Sequence, residues 1–100
     1  MMEKYILEGK TPVKCNDLIE WATWFENSRD KRHVAYTELP GNINVSTVFL
    51  AIDHAWRGEK PILFETMIFG GEHSEYCERY STWEEAEAGH RRAIELVFAV

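Results

Sequence analysis

Two β-rich runs dominate the middle of the chain, Ile43 to Ile52 and Ile62 to Phe69. Both are dense in β-branched and aromatic side chains, which fit a pleated, half-buried surface. The segment between them, Asp53 to Lys60, is polar, and Pro61 suits the first position of a strand. Neighbouring strands joined by so short a connection lie antiparallel, because parallel neighbours need a crossover of a dozen residues or more.

The flanking sequence extends this pattern on both sides. Tyr5 to Leu7 reads as a short strand ended by Gly9, and Thr11 to Cys15 extends it or pairs with it. Asp17 is a helix N-cap with Glu20 three residues on, and Leu18, Trp21, Ala22 and Phe25 follow at helical spacing. Ile19 and Trp24 widen that stripe, so this helix is expected to be covered over much of its girth. His33 to Glu38 is a strand candidate, followed by Leu39-Pro40-Gly41-Asn42 with Pro and Gly placed for a type II turn. Tyr76 to Tyr80 is a further short strand. Thr82 and Glu85 form a second capping box, ahead of an apolar face of Trp83, Ala86, Ala93, Ile94 and Val97. The expected fold is one α+β domain over residues 1–100: an antiparallel meander of four or five strands with two helices packed on it, in the order β-α-β-β-β-β-α.

Strand periodicity sorts the side chains onto faces. With hairpin registers centred on the loops, one face carries Val48, Leu50, Ile52, Ile62, Phe64, Thr66 and Ile68. The other carries Val34, Tyr36, Val45, Thr47, Phe49, Leu63, Glu65, Met67 and Phe69. Neither is the polar face that a half-exposed antiparallel sheet normally presents. If both helices cover one face, Tyr36, Phe49, Met67 and Phe69 are left as an interface, and a homodimer is the expected outcome.

Composition narrows the function classes. The chain is acidic, with 11 basic residues against 17 acidic ones and a formal charge of -6. Nucleic-acid binding draws on clustered Lys and Arg, so this balance disfavours it. Cys15 and Cys77 form no close pair, and no stretch has the apolar length of a signal peptide or a membrane span. The expectation is a cytoplasmic protein with reduced thiols and no membrane contact.

Four polar residues are candidates for chemistry. Glu65 lies mid-strand between apolar neighbours, either as an acid/base carboxylate or in a cross-strand pair with Arg79. His90 falls on the apolar face of the last helix, either as a core histidine with local partners or as a site histidine facing the sheet. Asp53-His54 ends a strand, where an acid beside an imidazole can orient it or bind a metal, although turn formation explains the Asp equally well. His73, Glu75 and Cys77 make only a loose group with no zinc-site spacing. No phosphate-binding loop, dinucleotide fingerprint, nucleophile elbow or zinc-protease helix motif occurs, and no cofactor or metal is implied. Trp24 suits helix packing, and Trp56, in a polar loop, is a candidate exposed contact.

Three stretches together carry a resemblance: Ser46-Thr47-Val48-Phe49-Leu50 with Asp53-His54; Leu63-Phe64-Glu65-Thr66-Met67 with Phe69-Gly70; and Tyr80-Ser81-Thr82-Trp83 with Glu85-Ala86 and Gly89-His90. They resemble a family of short uncharacterised proteins of tailed bacteriophages and prophages, from about Tyr5 to the last helix. The resemblance implies a small accessory gene product acting in a bacterial host, and it brings no catalytic residue with it. The expected function is an interaction protein that binds a host or phage protein, with modulation of host defence or physiology as its expected effect. Two alternatives from other classes stand beside it: a small metal- or ligand-dependent enzyme using Glu65, Asp53, His54 and His90, and a small-molecule sponge with aromatic pocket walls.

Overall fold

The computed structural model describes residues 2–55 and 60–99. Trp56 therefore lies outside the described residues. Two antiparallel sheets and two helices follow the order β-β-α-β-β-β-β-α, an α+β fold. Strands β1 (Tyr5–Glu8) and β2 (Thr11–Lys14) form a separate hairpin. Strands β3 (His33–Leu39), β4 (Ile43–Phe49), β5 (Phe64–Phe69) and β6 (Cys77–Tyr80) form the meander, in sequence order. The turn between β3 and β4 has Gly41 at φ 86°, as the second central position of a type II turn requires.

Helix α1 (Leu18–Asn27) starts where Asp17 accepts a hydrogen bond from the Glu20 N–H. It is less covered than its sequence suggests. None of its residues is fully buried, and Leu18 and Ile19 are 61% and 75% exposed. Only the Trp21, Trp24 and Phe25 side packs inward. The Trp21 indole N–H is shared between the Tyr5 and Ala51 carbonyls at 3.1 and 3.2 Å, which ties α1 to β1 and to the end of β4.

Helix α2 (Trp83–Phe98) carries the full reciprocal capping box of Thr82 and Glu85 and lies across all four strands of the meander. The N–H groups of Ser81 and Thr82 hold the Glu85 carboxyl below its usual range.

The β4–β5 register corrects the expected faces. Val45 pairs with Ile68, Thr47 with Thr66 and Phe49 with Phe64, and all six are buried. The register is one residue away from the loop-centred one, which moves Phe64, Thr66 and Ile68 to the face of Phe49. The shift originates beyond Phe49. Ala51 takes a left-handed φ of 66°, and Ile52 leaves the hairpin to bridge Lys4. These residues use up chain on the β4 side of the loop, so a symmetric hairpin cannot form.

Both helices gather on the buried face. The opposite face is open and carries Tyr36, Glu38, Asn44, Ser46, Val48, Glu65, Met67, Phe69, Cys77 and Arg79. It is a mixed polar and aromatic surface. Phe49 does not belong to it: at 1% exposure it touches Phe64 and Trp24 inside the core.

Helix α2 approaches β6 most closely at Gly89, where a Cβ would overlap the Tyr80 ring and hydroxyl. Alanine normally gains about 1 kcal/mol over glycine inside a helix. Here Gly89→Ala is expected to lose about 1–3 kcal/mol through overpacking. Urea denaturation decides it, and an equal or higher midpoint would mean that Tyr80 can move away freely.

Candidate functional site

Burying a helix against the centre of a sheet leaves every polar atom there in need of a partner. Three strands each supply a threonine beneath α2, at Thr37, Thr47 and Thr66, and α2 supplies His90, which is 5% exposed. The His90 ring uses both nitrogens: Nε2 lies 2.9 Å from Thr37 Oγ1, and Nδ1 lies 2.7 Å from Thr47 Oγ1. Thr47 and Thr66 are hydrogen-bonded to each other. His90 is therefore a satisfied core histidine. Burial holds its pKa below 6.5, so the ring is neutral at neutral pH.

This polar ladder continues to the surface. The Thr66 hydroxyl faces that of Tyr80, which donates to Glu78 Oε1 at 2.9 Å. The same oxygen accepts from Tyr76 Oη at 3.1 Å and from Arg92 Nη2 at 2.9 Å. Burial pushes the Glu78 carboxyl up, but the hydrogen bonds from Arg92, Tyr80 and Tyr76 outweigh it and hold the group below its usual range. Burial raises the Tyr80 phenol well above its ordinary value. An ionised carboxylate only accepts, so Tyr80 donates to Glu78. Each ring nitrogen of the neutral His90 meets a threonine hydroxyl, one nitrogen donating and the other accepting.

The other candidate residues lie elsewhere. Glu65 is on the open face, where Arg79 Nε donates to its Oε2 at 2.9 Å and Cys77 Sγ lies 3.4 Å away. Burial, then the Glu65 carboxylate, push the Cys77 thiol up and away from a reactive thiolate. Glu65 and His90 are on opposite faces of one sheet. Asp53 closes the loop after β4, its Oδ1 accepting from the Ala55 and Ile62 N–H groups at 2.8 and 2.9 Å, and the His54 N–H bonds the Ile62 carbonyl at 2.9 Å. Asp53 therefore plays a turn-forming role. Asp53, His54, Glu65 and His90 do not converge on one point. Among the described residues, no three His, Cys, Asp or Glu side chains are grouped as a metal ion would require. No helix among them is long and apolar enough to cross a membrane.

Helical spacing puts His90 on the apolar face of α2, and it is buried there, but spacing names no partners for it. Thr37, Thr47 and Thr66 look like ordinary strand residues in the sequence. The available signal was the threonines at buried positions of neighbouring strands, opposite a histidine on the apolar stripe of α2.

His90→Leu leaves the Thr37 and Thr47 hydroxyls without the ring and should cost about 1–3 kcal/mol, measured by chemical denaturation; a gain in stability would contradict the ladder. The second concerns pH. The folded His90 pKa lies below the unfolded value of 6.5, so the unfolded chain binds the extra proton first. His90's contribution is therefore complete above about pH 6.5 and is lost as pH falls through that value toward the folded pKa. Stability of the wild type minus that of His90→Leu, measured from pH 7.5 to 5, should fall with pH; a flat difference would mean that the ring protonates alike in both states.

Comparison with known proteins gives no match: no family model fits the chain, and no curated protein and no solved structure is significantly similar to it.

Proposed function

We propose that this chain is a non-enzymatic interaction protein, of the accessory kind implied by its resemblance to phage proteins, and that the open sheet face receives its partner. One observation carries this reading: the described residues cover the sheet on one face only, and the open face exposes Tyr36 (53%) and Phe69 (46%) beside Met67 and Val48. Exposed aromatics grouped on one surface are typical of protein contacts. Glu65 and Arg79 already neutralise each other there, so covering that pair leaves neither charge alone; the exposed Glu38, on the edge strand β3 of the same face, has to stay in water or meet a cation of the partner.

The simplest partner is a second copy related by a two-fold axis. A host or phage protein seated on the same face is the other form of this reading. An enzymatic role for Asp53, His54, Glu65 and His90 would require them to share a substrate, and they sit in three separate places.

Sedimentation at micromolar concentration tests the first form, with a Tyr36→Glu, Phe69→Glu double variant as its control. Both residues are exposed, so the fold should survive. The expected result is a dimer that the double variant converts to monomer. A wild-type monomer, together with equal capture of host-lysate proteins by wild type and variant, would overturn the assignment of this face. Phe49→Glu is no interface test, because Phe49 is in the core.

A further inference from the structure

A cleft of about 400 Å³ opens on the other side of the molecule, lined by Leu7, Gly9, Trp24, Lys31, His33 and Trp83. Five segments build it: the β1–β2 hairpin, α1, the α1–β3 loop with Lys31, the start of β3 and the first residue of α2. Its aromatic walls belong to a continuous series. Trp24 meets Phe49 edge-on at 5.9 Å, Phe49 meets Phe64 at 5.3 Å, and Phe64 meets Trp83 edge-on at 6.2 Å. The two indoles are thus set by the core, and both remain only partly buried. Rigid, half-exposed indoles from different elements facing one cleft are suited to a flat ring.

Charge supplies the second observation. The chain is acidic, yet the described residues lining this cleft include Lys31 and His33 and no acid. Lys10 Nζ adds a further positive charge, 5.8 Å from the centre of the Trp83 ring. The ion pairs found among the described residues are Arg79–Glu65 and Arg92–Glu78, and neither uses Lys10 or Lys31. Two amines and an imidazole beside an aromatic cleft, with no carboxylate among its described lining residues, complement a negatively charged ligand.

We propose that the cleft between Trp24 and Trp83 binds a planar aromatic molecule bearing a carboxylate or phosphate, its ring between the indoles and its anionic group toward Lys10, Lys31 and His33. This site is separate from the open sheet face, so each can fail without the other.

NMR titration of the full chain tests it, following the Trp indole N–H signals. The probes are 1-naphthoate and AMP, each with its uncharged counterpart, 1-naphthalenemethanol and adenosine. At least one acid should saturate below millimolar concentration, shift the Trp24 and Trp83 signals, and bind about tenfold more tightly than its uncharged counterpart, as one charge-assisted contact allows. Which acid binds identifies the anionic group. Lys31 is exposed, so Lys31→Ala should leave the fold intact while lowering acid affinity several-fold and sparing the uncharged counterpart. The proposal is overturned if neither acid binds below millimolar, if acid and uncharged counterpart bind alike, or if Lys31→Ala and Lys10→Ala both leave acid affinity unchanged.

Discussion

The pairing of Thr47 with Thr66 across β4 and β5 sets the register on which the other contacts rest. A polar pair at the centre of a buried face is tolerated only when each hydroxyl has somewhere to go. Here Thr47 also meets His90, and His90 meets Thr37. A slip of one residue would bring Glu65 or Met67 opposite Thr47 and carry the Thr66 hydroxyl to the other face of the sheet. Hydrophobic pairing alone would not discriminate so sharply, because Val, Ile and Phe lie on both sides of the threonines.

The same ladder divides the core. On one side lie Leu7, Phe49, Ala51, Leu63, Phe64, Tyr80 and Ala86, and on the other Val45, Ile68 and Ala93. The large aromatic residues gather at the end where the hairpin and α1 join the sheet. The smaller aliphatic cluster sits under the second half of α2. The polar layer between them gives α2 one rotational setting and one axial position, and Gly89 beside it lets Tyr80 close the layer from the β6 side. Specificity is thereby built from hydrogen bonds, while burial of the two clusters provides most of the stabilisation.

Elements with local signals were legible in the sequence. Both helices begin at the residues whose side chains cap them, Asp17 and Thr82, because capping depends on neighbours three residues apart. The α+β meander was legible because short loops permit no other pairing. The Glu65–Arg79 pair was also foreseeable, since adjacent strands bring those positions together. The faces of the sheet were not. They depend on Ala51 turning left-handed and Ile52 leaving for Lys4, events fixed by a strand some fifty residues earlier in the chain. The exposure of Leu18 and Ile19 was equally hidden, because helical periodicity says which residues share a face but not whether anything covers it. The cleft between Trp24 and Trp83 joins residues from five segments, and no sequence spacing encodes it.

The Ala51 carbonyl accepts both the Tyr5 N–H at 2.8 Å and the Trp21 indole N–H at 3.2 Å. One oxygen at the end of β4 thus anchors the hairpin and α1 together. The chain leaves the ribosome N-terminus first, so the hairpin and α1 emerge well before this acceptor. Neither can reach its final position until residue 51 is outside the exit tunnel and β4 has formed. The hairpin and α1 are therefore synthesised before the strand that anchors them and consolidate only after it, with Trp21, Trp24 and Phe25 unpacked in the interval.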